Sequence, residues 1–108
     1  MSNNLKSEEK KAGQILLTPE DYQDFEDASL KITIECHHLD QCIQAMQPNL
    51  LNPYESYLLD IHYKDEMILS DIDQLISHLS IQDANIVGLL GLSKQTLTSN
   101  LKITILAK

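Results

Sequence analysis

Gln47-Pro48-Asn49-Leu50-Leu51-Asn52-Pro53 holds two of the three prolines in the chain. The runs on either side, residues 20–47 and 54–80, contain neither Gly nor Pro. A proline within a helix removes a backbone hydrogen bond and clashes with the preceding turn, so no helix passes unbroken through this stretch. Its sequence reads as the turn of a long helical hairpin.

Each flanking run carries apolar residues at alternating three- and four-residue steps. The first seam is Tyr22, Phe25, Ser29, Ile32, Cys36, Leu39, Ile43 and Met46; the second is Tyr54, Leu58, Ile61, Asp65, Ile68, Ile72, Leu75 and Leu79. Such spacing is the signature of a helical, coiled-coil-like stripe. Paired outward from the turn, facing residues keep a constant summed number to within one, as an antiparallel hairpin requires. Thr18 is placed to N-cap the first helix, with Pro19 at its first position and Glu20 and Asp21 complementing its dipole. The expected fold is therefore all-α: an antiparallel hairpin of about 19–47 and 53–80, with a C-terminal helical segment completing a bundle. Residues 1–13 are expected to be a disordered tail and 14–108 a single helical domain.

Two features point elsewhere. Leu30-Lys31-Ile32-Thr33-Ile34 alternates as a strand does, and the pentapeptide LKITI recurs at Leu101–Ile105, so the two copies could pair. A break near Leu69 would also divide residues 53–80, with Ser70 capping a new helix.

The net charge is -8, with 8 Lys and no Arg. Thirteen of the 16 acidic residues fall between residues 19 and 80, against only Lys31 and Lys64. That imbalance implies a basic protein partner and argues against nucleic acid. On a single helix, Cys36 and Cys42 would stand roughly 9 Å apart along the axis, too far to bridge. Free thiols would suit a cytoplasmic location. No apolar run reaches membrane-spanning length.

Residues 89–103, LLGLSKQTLTSNLKI, resemble the core of a helix-turn-helix of the kind found in response-regulator and arsenic-repressor families. The resemblance rests on Gly91 at the turn, Leu90 and Leu92 around it, Ser93, Thr96, Leu97 and Leu101. It implies an alternative function, a small DNA-binding regulator using residues 84–103, with Ser93, Lys94, Gln95, Thr98 and Ser99 facing DNA. Val87 departs from the pattern, standing where a small residue is usual.

His38, Cys42 and His62 would approach one another in the hairpin register, as three ligands of a metal site would. They lack a fourth, and Cys36 is accounted for as a seam residue, so neither metal nor cofactor is expected. No general acid–base pair, nucleophile motif or phosphate-binding glycine loop is present, so no enzyme is expected. Apolar residues off the seams, Leu30, Ile34, Leu59, Tyr63, Leu69 and Ile76, are the expected partner-binding surface, by which the chain, as an adaptor, chaperone or inhibitor, docks a protein partner or self-associates into a four-helix bundle.

Overall fold

The structure, a computed structural model, describes residues 13–80 and 86–108. It is a mixed α/β fold, not an all-α one. In chain order the elements are α1 (Pro19–Gln23), β1 (Leu30–Cys36), α2 (Leu39–Ala45), β2 (Ser56–Tyr63), α3 (Leu69–Leu79), β3 (Val87–Lys94) and β4 (Leu101–Ala107). The strands form one sheet in the order β1-β4-β2-β3. β4 runs antiparallel to both β1 and β2, while β3 runs parallel to β2. Helix α3 makes the crossover between β2 and β3, as parallel neighbours require.

The hairpin, coiled-coil and four-helix-bundle expectation is overturned because a strand interrupts each seam, at Ile32 and Cys36 in the first and at Leu58 and Ile61 in the second. Leu30–Cys36 and Ser56–Tyr63 lie in the sheet. β2 is an inner strand buried from both sides: Leu58, Leu59, Asp60, Ile61 and Tyr63 are all buried. A strand covered on both faces loses its two-residue alternation and offers apolar residues at helical spacings as well. The C-terminal segment expected to be helical is β3 and β4, and the two LKITI copies pair with each other. The Pro48–Pro53 stretch is a turn, but it joins α2 to β2. Its backbone N–H groups at Asn49 and Leu51 donate to the carbonyl oxygens of His78 and Leu79 at 2.8 and 2.9 Å. It thus satisfies carbonyls that the end of α3 would otherwise leave orphaned.

Other local readings hold. Thr18 caps α1, its side chain accepting from the Asp21 N–H and the Asp21 carboxylate accepting from the Thr18 N–H at 2.7 Å. α1 is five residues long rather than the start of a long helix. α3 begins at Leu69, near the alternative break, and Ile72, Leu75 and Leu79 form its buried face; its N-cap is Ile68, so Ser70 lies inside the helix and does not cap it.

The sheet separates two environments. On one face α2 and α3 cover Ile32, Ile34, Leu59, Ile61, Tyr63, Leu92, Ile103 and Ile105, forming the main core with Cys42, Met46, Leu51, Ile72 and Leu75. On the other, the segment around α1 covers only part of the sheet, packing Phe25, Ala28 and Leu17 on Leu58, Leu89 and Leu106. The ladder registers line up the rest of that face in rows: Glu35, Lys102, His62 and Ser93 in one, and Thr33, Thr104, Asp60 and Gly91 in the next.

Cys36 and Cys42 form a disulfide, with Cα atoms 5.9 Å apart. The expectation that they could not bridge assumed one continuous helix. Cys36 instead ends β1, the chain bends at His37–His38, and α2 brings Cys42 back beneath the strand. The inference from free thiols to a cytoplasmic location loses its premise. Among the described residues no helix is long and apolar enough to cross a membrane. Most of the expected N-terminal tail, residues 1–12, lies outside the described residues.

Candidate functional site

The parallel strands β1 and β2 both deliver their carboxyl ends to the same side of the molecule, where each leads into a helix. Between these ends is a cavity of about 330 Å³. One wall is His37, His38, Leu39 and Asp40, from the β1–α2 connection and the start of α2. The facing wall is Asp65, Glu66 and Met67 from the β2–α3 connection, with Asp71 and Gln74 from α3; Asn100 and Leu101 close it at the start of β4. Among the described residues the lining contains four carboxylates and no lysine.

Each wall is held in place. The Gln41 side-chain oxygen accepts from the backbone N–H groups of His37 and His38 at 3.0 and 3.1 Å. Asn100 donates its side-chain amide to the His37 carbonyl at 2.9 Å, tying this wall to β4. The disulfide spans the same loop, so all four residues of the wall lie between bridged cysteines. On the opposite wall the Lys64 N–H donates to the Asn100 carbonyl at 2.9 Å.

The position has a chemical bias. Carboxyl ends of parallel strands, followed by helix N-termini, are where α/β proteins often bind anions, because unpaired N–H groups and the helix dipole favour negative charge. Here the chain fills that place with its own carboxylates. Asp40 lies in the first turn of α2 and Asp71 in the first turn of α3. They complement the two dipoles and leave the cavity rimmed with negative charge. The carboxylates stand around the wall rather than converging: among the described residues no three His, Cys, Asp or Glu side chains could hold a metal ion. Such a ring suits a larger cation that spreads its charge over several donors.

A second polar constellation lies on the opposite face of the sheet. Asp60 is buried on β2; the Tyr22 hydroxyl donates to its Oδ2, and His62 Nε2 lies 3.2 Å from the same oxygen. Burial and the neighbouring Asp60 carboxylate push the Tyr22 phenol well above the ordinary tyrosine range. Room for the carboxylate comes from Gly91, where an added Cβ would fall 2.5 Å from Asp60 Oδ1 and 2.6 Å from the Leu17 side chain. The network fastens the α1 segment to the sheet.

The residues expected to bind a partner are scattered. Leu59 is fully buried and Tyr63 nearly so, both in the main core. Leu30 and Ile34 are half-buried on the helix-covered face of β1. Leu69 and Ile76 are brought together on α3 beside an apolar cavity of about 330 Å³ lined also by Ile15, Ile72, Leu90 and Leu92. The three candidate metal ligands are apart: Cys42 is consumed in the disulfide, and His62 is on the face away from α2. Ser93 and Lys94, expected to face DNA from a helix, are in β3, and Ser99 is buried, donating to Glu35 at 3.0 Å. In place of the helices that the helix-turn-helix resemblance implies stand β3, the connection at 95–100 and the start of β4. The acidic cavity went unseen because its walls are contiguous only once β1 and β2 lie in one sheet. Its one local trace is the acids that follow the apolar runs ending at Cys36 and Tyr63.

No family model matches the chain, and neither does any curated protein.

Proposed function

We propose that this chain is a non-enzymatic binding module for a basic protein, receiving a Lys or Arg side chain of that partner in the cavity between the β1–α2 and β2–α3 connections. The observation that carries the reading is the lining: Asp40, Asp65 and Asp71, with Glu66 beside them, rim a cavity in whose wall no described residue is a lysine. The chain's net charge of -8 would draw such a partner in from a distance and speed its association. Asn100, Gln74 and the two histidines offer further polar groups to orient a guanidinium or ammonium head. An adaptor or inhibitor that occupies a basic surface would use such a site. The Cys36–Cys42 bridge favours work in an oxidising compartment over the cytoplasm, since thiol-reducing systems act against such bonds.

Titration of the isotopically labelled protein with an alkylguanidinium salt, followed by NMR, tests the site. Amide shifts confined to residues 37–40 and 65–74, weakened at least tenfold by Asp65→Asn with Asp71→Asn and reduced by added salt, are expected. Shifts spread evenly over all acidic surfaces, or unchanged in the double variant, would show that the cavity is not the site.

A further inference from the structure

The sheet has two outer edges, and the fold treats them differently. Along β3 the N-terminal segment covers part of the edge: the Ile15 N–H donates to the Leu92 carbonyl and the Leu92 N–H to the Ile15 carbonyl, both at 2.7 Å, and the Gln14 side chain accepts from the Lys94 N–H at 3.1 Å. Along β1, among the described residues, no backbone hydrogen bond is made outside the ladder with β4. β1 is seven residues long, without Pro or Gly to interrupt further pairing. An open edge of that kind is a template for another strand.

The inner edge of β1 shows which strand suits it. There it pairs with a second copy of its own pentapeptide: Ile32 faces Ile105, Thr33 faces Thr104 and Ile34 faces Ile103. The pairing is symmetric about the threonines, and it continues with Glu35 opposite Lys102, the lysine of the second copy. We infer that the outer edge of β1 pairs antiparallel with β1 of a second copy of this chain, about a two-fold axis through Thr33.

In that register Ile32 of one copy stands opposite Ile34 of the other, repeating the isoleucine pairs of the inner edge. Lys31 of one copy stands opposite Glu35 of the other, and the symmetry makes that ion pair twice. Opposite charges directly across an antiparallel pair stabilise it, and like charges oppose it. A one-residue slip would put Thr33 opposite an isoleucine and turn one strand's apolar face away from its helices. The interface is isologous, so it closes at two copies and extends no further. It would also cover Leu30, Ile32 and Ile34, which are only half-buried on the edge.

Sedimentation and cross-linking of the full chain test the pairing. The wild-type chain is expected to sediment as a monomer–dimer equilibrium, with Lys31→Glu raising the dissociation constant at least tenfold. Across the axis the two copies of residue 33 are neighbours, whereas the two copies of residue 31 lie about 13 Å apart along the strands. Thr33→Cys is therefore expected to form a covalent dimer on mild oxidation many times faster than Lys31→Cys, with the new bond mapped by mass spectrometry. A monomer up to millimolar concentration overturns the inference, as does a dimer that cross-links equally, or not at all, at the two positions.

Discussion

Thr33 and Thr104 lie directly opposite each other in the β1–β4 ladder, and each is the fourth residue of the same pentapeptide. One copy forms an edge strand and the other an inner strand, so the fold contains its own comparison of identical local sequence in two environments.

Ile34 and Ile105 close the two copies. Ile105 is fully buried, while Ile34 is half-buried on the edge. Ile105→Ala should therefore lower stability by about 2–5 kcal/mol, and Ile34→Ala by about half as much or less. Urea unfolding at low protein concentration measures both. Equal losses would mean that local sequence rather than burial sets the cost.

Tyr22→Phe should lower stability at neutral pH by about 1 kcal/mol, because the buried Asp60 loses the phenol and, among the described residues, keeps His62 as a side-chain partner. Folding raises the Tyr22 pKa above its usual 10.0, so it favours the neutral phenol. That contribution is complete below about pH 10 and is lost as the pH climbs above it, where the unfolded chain ionises first. The wild type should lose stability between pH 9 and 11.5 more steeply than Tyr22→Phe. Unfolding midpoints across that range give the comparison.

Two glycines on β3 should respond differently to alanine. At Gly91 the new methyl meets Leu17 and a carboxylate already held by two partners, so Gly91→Ala should cost about 1–3 kcal/mol and loosen the α1 segment. At Gly88 it meets the far end of the half-buried Tyr57 ring, which can swing away, and the loss should be smaller. Limited proteolysis within residues 13–29 should accelerate only for Gly91→Ala.

Replacing both Cys36 and Cys42 with serine should lower stability by about 2 kcal/mol, the loop-closure value for so short a loop. The same change frees the wall from His37 to Asp40, so binding of an alkylguanidinium at the cavity should weaken as well. A variant that loses stability but binds as before would separate the bridge from the site. Calorimetry and the NMR titration report the two effects independently.

How much of this was legible in the sequence depended on how many faces each element buries. The helix start at Thr18-Pro19 and the buried stripe Ile72, Leu75, Leu79 were readable, because capping chemistry and a single buried face leave local marks. β1 left a mark in its alternation and repeated pentapeptide, but a helical seam through Ile32 and Cys36 competed with it. β2 left no such mark: Leu58 and Leu59 face opposite cores, and their adjacency erases the period that separates strand from helix. The cysteine bridge was hidden for the same reason: residues 30–45 carry a helical spacing, along which Cys36 and Cys42 stand too far apart, whereas the chain runs strand, bend and helix. Composition pointed towards a basic partner, but the place where one would bind required two distant connections side by side, which no local pattern encodes.

β4 follows the other strands in chain order and is inserted between β1 and β2. Until it arrives, β1 and β2 have no shared edge, and the halves of the core have nothing to join them. During synthesis β1 and β2 therefore emerge well before the strand that joins them, and local helix formation cannot substitute for that step. In the interval β1 has both edges open and its own pentapeptide as the best available mate. A nascent chain on a crowded polysome is thus most exposed to mispairing with its neighbours just before β4 appears.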